Sequence, residues 1–475
     1  MTPDVAVGSW IDSDVPVRLD MLRWSAWHRR VVLALGITWV LDGLEASLVA
    51  NLAPTLQDPR ALGLTATQIG WTNTCYLVGQ VLGALGFAHL TDRFGRKRLF
   101  LITLGLYLCA TAASGLAPTL GVFLVLRFLT GAGIGGEYAA INSAIDELVP
   151  ARLRGRIDLG INGSYWAGVA AGAVLTLIVL DPALLPVAIG WRLSFGLGAV
   201  LGLIVIVVRR RVPESPRWLL LHGYTRAAAA TVDAIEHEVG RPDAQVAPVR
   251  VHVTGRVGLG YLVRTLVVRF RRRTILGFVL MFAQATLYNA VFFSYALVLR
   301  VFDGVAPGRV GLYIVPVAIG NFLGPLVLGP LFDRIGRRVM IPATYAITGV
   351  LLALTGLLFA AGWLDALTQT LAWSLVFFVA SAAASSAYLT VSELFPVELR
   401  ARAIAVFYAF ATLVGAGAPA VFGAMIDAHA PRQLLAGYLA TAALMIGAAV
   451  IARLLGVAAE GRSLEQLAVT ASPRT

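Results

Sequence analysis

The chain has 475 residues, of which 58% are hydrophobic and 13% charged, and its mean hydropathy is +0.79. Soluble domains carry about 25% charged residues, so the composition excludes a water-soluble enzyme or scaffold and points to a polytopic membrane protein. The formal net charge of +12 does not call for nucleic acid, because the cations sit in short loops between apolar runs.

Residues 1–30 are polar and mixed in charge and read as a cytoplasmic segment, not a signal peptide. Crossing a bilayer as a helix takes about 20 apolar residues. Twelve runs meet that test. Spans 1 to 6 are expected near 31–53, 69–91, 98–117, 120–142, 161–181 and 191–209. Spans 7 to 12 are expected near 274–298, 311–332, 339–361, 368–390, 403–424 and 434–455. The fold class is therefore all-α, with two six-helix bundles at 31–209 and 274–456. A cytoplasmic loop with short helices (210–273) joins them, and a cytoplasmic tail (457–475) follows. Cys75 and Cys109 fall inside apolar runs without metal-ligand spacing and read as small core residues.

Arginine distribution gives the orientation. Loops with Arg29 and Arg30, Arg93 to Arg98, Arg152 to Arg156, Arg209 to Arg211, Arg271 to Arg273, Arg334 to Arg338, and Arg400 and Arg402 alternate with nearly uncharged ones. The positive-inside rule places the first set and both termini in the cytoplasm of a plasma-membrane protein.

The sequence repeats itself. Leu90-Thr-Asp-Arg-Phe-Gly-Arg-Lys-Arg98 returns as Leu331-Phe-Asp-Arg-Ile-Gly-Arg-Arg338, with Asp92 and Asp333 separated by 241 residues. Glu147-Leu-Val-Pro-Ala-Arg-Leu-Arg154 returns as Glu393-Leu-Phe-Pro-Val-Glu-Leu-Arg400, separated by 246. Matching order and spacing imply two halves related by an axis along the membrane normal, with a substrate site near mid-membrane between them.

These residues resemble the major facilitator superfamily over nearly the whole chain. Asp92-Arg93-x-Gly95-Arg96 and its copy look like the loop motif after helices 2 and 8, and Arg127-x-x-x-Gly131 looks like the fourth-helix motif. Pro213-Glu-Ser-Pro-Arg-Trp-Leu219 and Glu460-Gly-Arg-Ser-Leu-Glu465 are similar to motifs of the sugar-porter and organic-ion branches. The match departs at Ala88, Ala283 and Phe293, and Tyr388 stands where sugar porters carry Trp. Tyr at that place is similar to organic-ion, niacin and aromatic-acid transporters.

Asp42 and Glu45 lie three apart on span 1, and an acid near mid-bilayer is costly enough to need a role. Such spacing puts both on one helical side, and a carboxyl pair at that depth is a candidate carrier for a coupled proton. The resemblance adds that Glu45 matches the first-helix acid of proton-coupled sugar porters. Asp42-Gly43 looks like the start of the Asp-Gly-x-Asp motif of aromatic-acid symporters. Arg127, inside span 4, keeps its charge and needs an anion, either one of these acids or a substrate carboxylate. Protonation of the span 1 acid then frees Arg127 and shifts the transporter between its states.

Gln284, Tyr288, Asn289 and Tyr295 on span 7, Asn162 and Trp166 on span 5, Asn321 on span 8, and Trp373 and Tyr388 on span 10 are candidate substrate contacts. Bridging between helices is the alternative for each. Gly131-Ala-Gly-Ile-Gly135-Gly136 fits a dinucleotide fingerprint literally, but it lies inside an apolar helix and reads as helix packing. The cytoplasmic motifs are read as a gate. Asp92 and Glu147 face Arg154 or Arg156, and Asp333 and Glu393 face Arg400 or Arg402. Arg93, Gly95, Arg96, Arg334, Gly336 and Arg337 complete the two turns.

The reading is a monomeric secondary transporter, not an enzyme. It imports a small carboxylate or aromatic acid together with protons, and uses no metal, cofactor or nucleic acid. A sugar or polyol proton symporter is the first alternative. A membrane sensor on the same fold is the second.

Overall fold

The computed structural model describes residues 4–5, 9–94, 96–148, 151–209, 214–240, 247–252, 264–394 and 397–456. Spans 1 to 6 are the helices Ala26–Leu56, Ala66–Phe94, Arg96–Ser114, Leu120–Leu148, Ala151–Val179 and Val187–Arg209. Spans 7 to 10 are Arg271–Val301, Val310–Arg334, Arg337–Ala360 and Ala366–Leu394. Span 11 is the pair Val397–Gly415 and Ala418–Asp427, and span 12 is Pro431–Leu455. Eight helices among the described residues are long and apolar enough to cross a membrane by length and composition.

The surface confirms the solvent. Leu85, Leu203, Val207, Leu326, Leu354 and Leu454 are exposed, while Arg127, Asn321 and Gln369 are fully buried. In water the outward residues would form an aggregation face. In lipid they are the solvated surface, and the helices satisfy their own backbone groups. Cys109 corrects an expectation: it is exposed on the lipid-facing side of span 3, and Cys75 is only half-buried. A small apolar side chain on this fold gains as much from lipid as from a core.

Helix contacts are set by small residues. Gly79 and Gly83 of span 2 lie against the backbone at Phe128 and Ala132 of span 4, and Gly131 and Gly135 lie against Tyr76 and Gln80 in return. A methyl group at any of the four would strike a carbonyl of the facing helix. The glycine run of span 4 is thus a packing seam, as its position in an apolar helix implied. Gly336 has φ +97 and precedes span 9, so the second copy of the loop motif turns where only glycine sits without strain.

Two spans depart from regular helix. Span 7 widens into a π-helical turn at Tyr288–Phe292. Span 11 breaks at Ala416 and Gly417 ahead of Pro419, which has no N–H to continue the ladder. The Thr74 hydroxyl of span 2 donates to the freed Ala416 carbonyl at 2.7 Å.

On the side carrying the termini, strand β1 (Trp10–Ser13) pairs antiparallel with β2 (Val249–His252) of the central loop. Arg18 inserts between Asp233 at 2.6 Å and Glu236 at 2.5 Å, and Arg217 bonds Asp20 at 2.7 Å. The first residues are therefore clasped to the helix Thr225–Val239, a contact between positions over 200 apart that no local pattern encodes.

Candidate functional site

Span 1 carries the charged centre, and its two acids have different surroundings. Glu45 is wholly buried inside the first half. Its carboxylate abuts Gly198 of span 6, where a Cβ would collide with Oε1. It lies in electrostatic range of Arg127 on span 4 and beside Thr111 of span 3. Asp42, equally buried, is in electrostatic range of Tyr76 of span 2, Tyr165 of span 5 and Tyr408 of span 11. A separation of three residues turns a helix by about 300°. That angle leaves Glu45 within its own bundle and Asp42 toward the seam with the second half. The sequence expectation of one shared side is refined to two adjacent ones.

Arg127 is completely buried. Its guanidinium stacks over the Tyr76 ring, 4.8 Å from the centroid. Neither Glu45 oxygen and none of the Arg127 side-chain nitrogens makes a hydrogen bond. The two charges attract each other across a gap without closing into an ion pair. Such an arrangement leaves both groups able to change partner, because no short bidentate geometry locks them.

From Asp42 an aromatic chain crosses to the second half. Tyr165 and Trp166 pack edge to face at 5.4 Å. Trp166 reaches Tyr288 at 5.7 Å and Phe292 at 5.5 Å, both on the π-helical turn of span 7. Tyr288 also packs on Phe377 of span 10 at 5.2 Å. The Tyr288 hydroxyl donates to Asn321 Oδ1 at 2.7 Å, and Asn321 Nδ2 donates to the Val317 carbonyl at 3.0 Å. Tyr288 and Phe292 stand four apart and share one side of span 7, where Trp166 meets both.

The other candidates divide. Gln284 is buried and neither end of its amide makes a hydrogen bond. Asn289 is buried against Gly415, just before the break in span 11. Tyr388 packs on Tyr408 at 6.4 Å. Tyr295 instead shares a 2.5 Å hydrogen bond with Thr370, and Trp373 packs on Tyr438 at 5.1 Å. Both are embedded within the second half, and the π turn ahead of Tyr295 takes it out of the register that Gln284 and Tyr288 share. The side chain of Asn162 lies outside the described residues. So do Gly95 and the side chains of Asp92, Arg93, Arg96, Glu147, Arg154, Arg156, Asp333, Glu393, Arg400 and Arg402. Arg334 is exposed and Arg337 half-buried at the turn around Gly336.

Sequence reasoning missed Tyr76, Tyr165, Tyr408, Phe292 and Phe377. The adjacent Tyr165-Trp166 pair was the available signal. The others sit in apolar runs where an aromatic residue is indistinguishable from core.

On the side opposite the termini the halves meet closely. Asp427, at the end of span 11, accepts the backbone N–H groups of Ala66 and Thr67 at 2.8 Å each and the Thr67 hydroxyl at 2.5 Å. The carboxylate thereby satisfies free donors in the first turn of span 2 and meets the positive end of that helix.

The family model described as sugar (and other) transporter matches residues 43–470. The chain belongs to this family. It is a transporter of the major facilitator superfamily. It is 27% identical over 456 residues to the niacin transporter NiaP of Acinetobacter baylyi, covering 96% of this chain and 99% of that one. It is 30% identical over 209 residues to the 4-hydroxybenzoate transporter PcaK of Pseudomonas putida, covering 44% and 45%. The solved D-xylose-proton symporter has the same fold, with a TM-score of 0.72 at 18% identity over 92% of this transporter and 100% of the symporter.

Proposed function

We propose that the transporter is a proton symporter that imports a small aromatic or heteroaromatic carboxylate by alternating access, with both termini in the cytoplasm. The observation that carries this reading is the unlocked Glu45–Arg127 couple at the centre of the first half. When Glu45 is ionised, its charge balances Arg127. When Glu45 takes a proton, Arg127 lacks a counter-charge, and an anionic substrate supplies it. Proton and anion then favour each other's binding by reciprocal linkage. Rocking of the halves about the site carries both inward.

The aromatic chain supplies a place for a flat ring. Trp166, Tyr288, Phe292 and Phe377 offer faces and edges from both halves, so closing the halves on a ring differs energetically from closing them empty. The relatives named for niacin and 4-hydroxybenzoate transport support a ring bearing a carboxylate.

Purified protein in proteoliposomes with a pH-sensitive dye inside tests this. Nicotinate, hydroxybenzoates and benzoate are expected to drive proton entry, and xylose or glucose to drive none. Carboxylate uptake that ignores an imposed pH gradient would refute the coupling. A sugar or polyol substrate is the second reading. It is favoured by the unsatisfied amide of Gln284, and proton flux with sugars alone would establish it.

A further inference from the structure

The ten residues ahead of and into span 7 read Arg264-Thr-Leu-Val-Val-Arg269-Phe-Arg-Arg-Arg273. No Asp or Glu occurs between Asp243 and Asp303. Thr265–Arg269 forms a wide π-helical turn that leads into span 7. The segment has two sides. Thr265, Leu266 and Phe270 are buried against the bundle, and the Thr274 hydroxyl donates to the Leu266 carbonyl at 2.7 Å, fixing the turn. On the other side Val267 is 55% and Val268 72% exposed, together with Arg264, Arg269, Arg271 and Arg272. None of these four arginines forms an ion pair with a described carboxylate. The guanidinium groups of Arg269 and Arg273 rest near the Phe270 ring, at 5.6 and 5.5 Å, which holds them beside the helix.

A topology signal requires only that cations lie on one side of the membrane. It does not require them to line one outward face beside two exposed valines at the level where a span enters lipid. That combination matches a boundary between acyl chains and phosphate headgroups. The apolar side chains enter the first, and planar guanidinium donors meet the second.

We propose that Arg264, Arg269, Arg271 and Arg272, with Val267 and Val268, form a docking surface for anionic phospholipid headgroups in the leaflet on the terminus-bearing side. The phosphates supply the counter-charge that no described carboxylate provides. Binding fixes the entry point of span 7, the helix that carries Tyr288 and Phe292. The surface does not depend on the substrate or on proton coupling.

Native mass spectrometry of the full-length protein, extracted from nanodiscs containing phosphatidylglycerol and phosphatidylethanolamine, tests the proposal. The wild type should retain phosphatidylglycerol selectively. Each juxtamembrane cation contributes on the order of fivefold to anionic-surface affinity, so Arg269→Gln/Arg271→Gln should weaken retention roughly 25-fold. Arg269→Lys/Arg271→Lys should keep most of it. Arg29→Gln/Arg226→Gln, which removes the same charge elsewhere on that side, should change it little. Thermal unfolding of each variant in zwitterionic lipid reports folding separately. Equal loss in the two Gln pairs would reduce the effect to generic attraction and overturn the proposal. Equal retention of the zwitterionic lipid by the wild type would also overturn it.

Discussion

The two halves share a fold and differ in what they bury. The first half encloses Asp42, Glu45 and Arg127 in helices held together by glycine seams. The second encloses amides, hydroxyls and rings, such as Gln284, Asn289, Asn321, Tyr295 and Trp373, and among the described residues its spans bury no wholly enclosed acid or arginine. Duplication supplies the scaffold twice, whereas charge has been kept on one side of the seam. Under the proposed function this becomes a division of labour, with the first half responding to protons and the second shaping the substrate. Each experiment below breaks or sharpens that division.

The largest effect is expected from Arg127→Ala. Removing one member of a buried charge couple costs about 3–5 kcal/mol when the other stays charged. Concentrative uptake should be lost, and thermal unfolding should fall clearly unless Glu45 is neutralised as well. An Arg127→Ala transporter that still accumulates substrate against a gradient would end the idea that Arg127 couples the fluxes. Glu45→Gln comes next. It should abolish proton-driven accumulation while leaving exchange of labelled for unlabelled substrate nearly intact, because exchange needs no net proton movement. Loss of both would make Glu45 a substrate ligand or a structural group.

Trp166→Ala probes the other side of the division. It removes ring contacts to Tyr288 and Phe292, each worth about 0.5–1.5 kcal/mol beyond area. KM for an aromatic acid should rise on the order of tenfold, with the proton-to-substrate ratio unchanged. A changed ratio would merge the two functions. Gly198→Val is subtler, since its side chain meets the Glu45 carboxylate. Uptake should weaken at saturating substrate while aromatic selectivity stays constant.

The smallest effect lies outside the membrane helices. Burial, with Asp365 nearby adding to it, pushes the Asp303 carboxyl from its ordinary 3.8 up to about 6. Between these values the folded state holds a proton that the unfolded state releases. Stability therefore falls as pH rises through about 4 to 6. Asp303→Asn should flatten that slope in a thermal-unfolding series, by an amount reduced by partial exposure.

Much of this was legible in the sequence, for physical reasons. Lipid demands long apolar helices, so apolar runs pointed to an all-α fold of membrane spans, and turn motifs repeated at similar separations exposed the duplication. Buried charge is expensive in a membrane, which made Asp42, Glu45 and Arg127 conspicuous. What remained hidden depends on rotation about helix axes. The π turn at Tyr288–Phe292 shifts Tyr295 inward, and no residue type in that stretch announces it. The aromatic chain was hidden because Phe and Tyr in an apolar run satisfy lipid, core and ligand equally well. The clasp of Arg18 on Glu236 was hidden because it joins sequence-distant partners.

The pairing of β1 with β2 has a mechanical consequence. It ties Val249–His252 of the central loop to the residues ahead of span 1, in a register that joins Trp10 to His252 and Ser13 to Val249. The Arg18 bonds to Asp233 and Glu236 make a second attachment between the same two segments. A load on the central loop is therefore passed to the start of span 1 through two fastenings, one of backbone and one of charge.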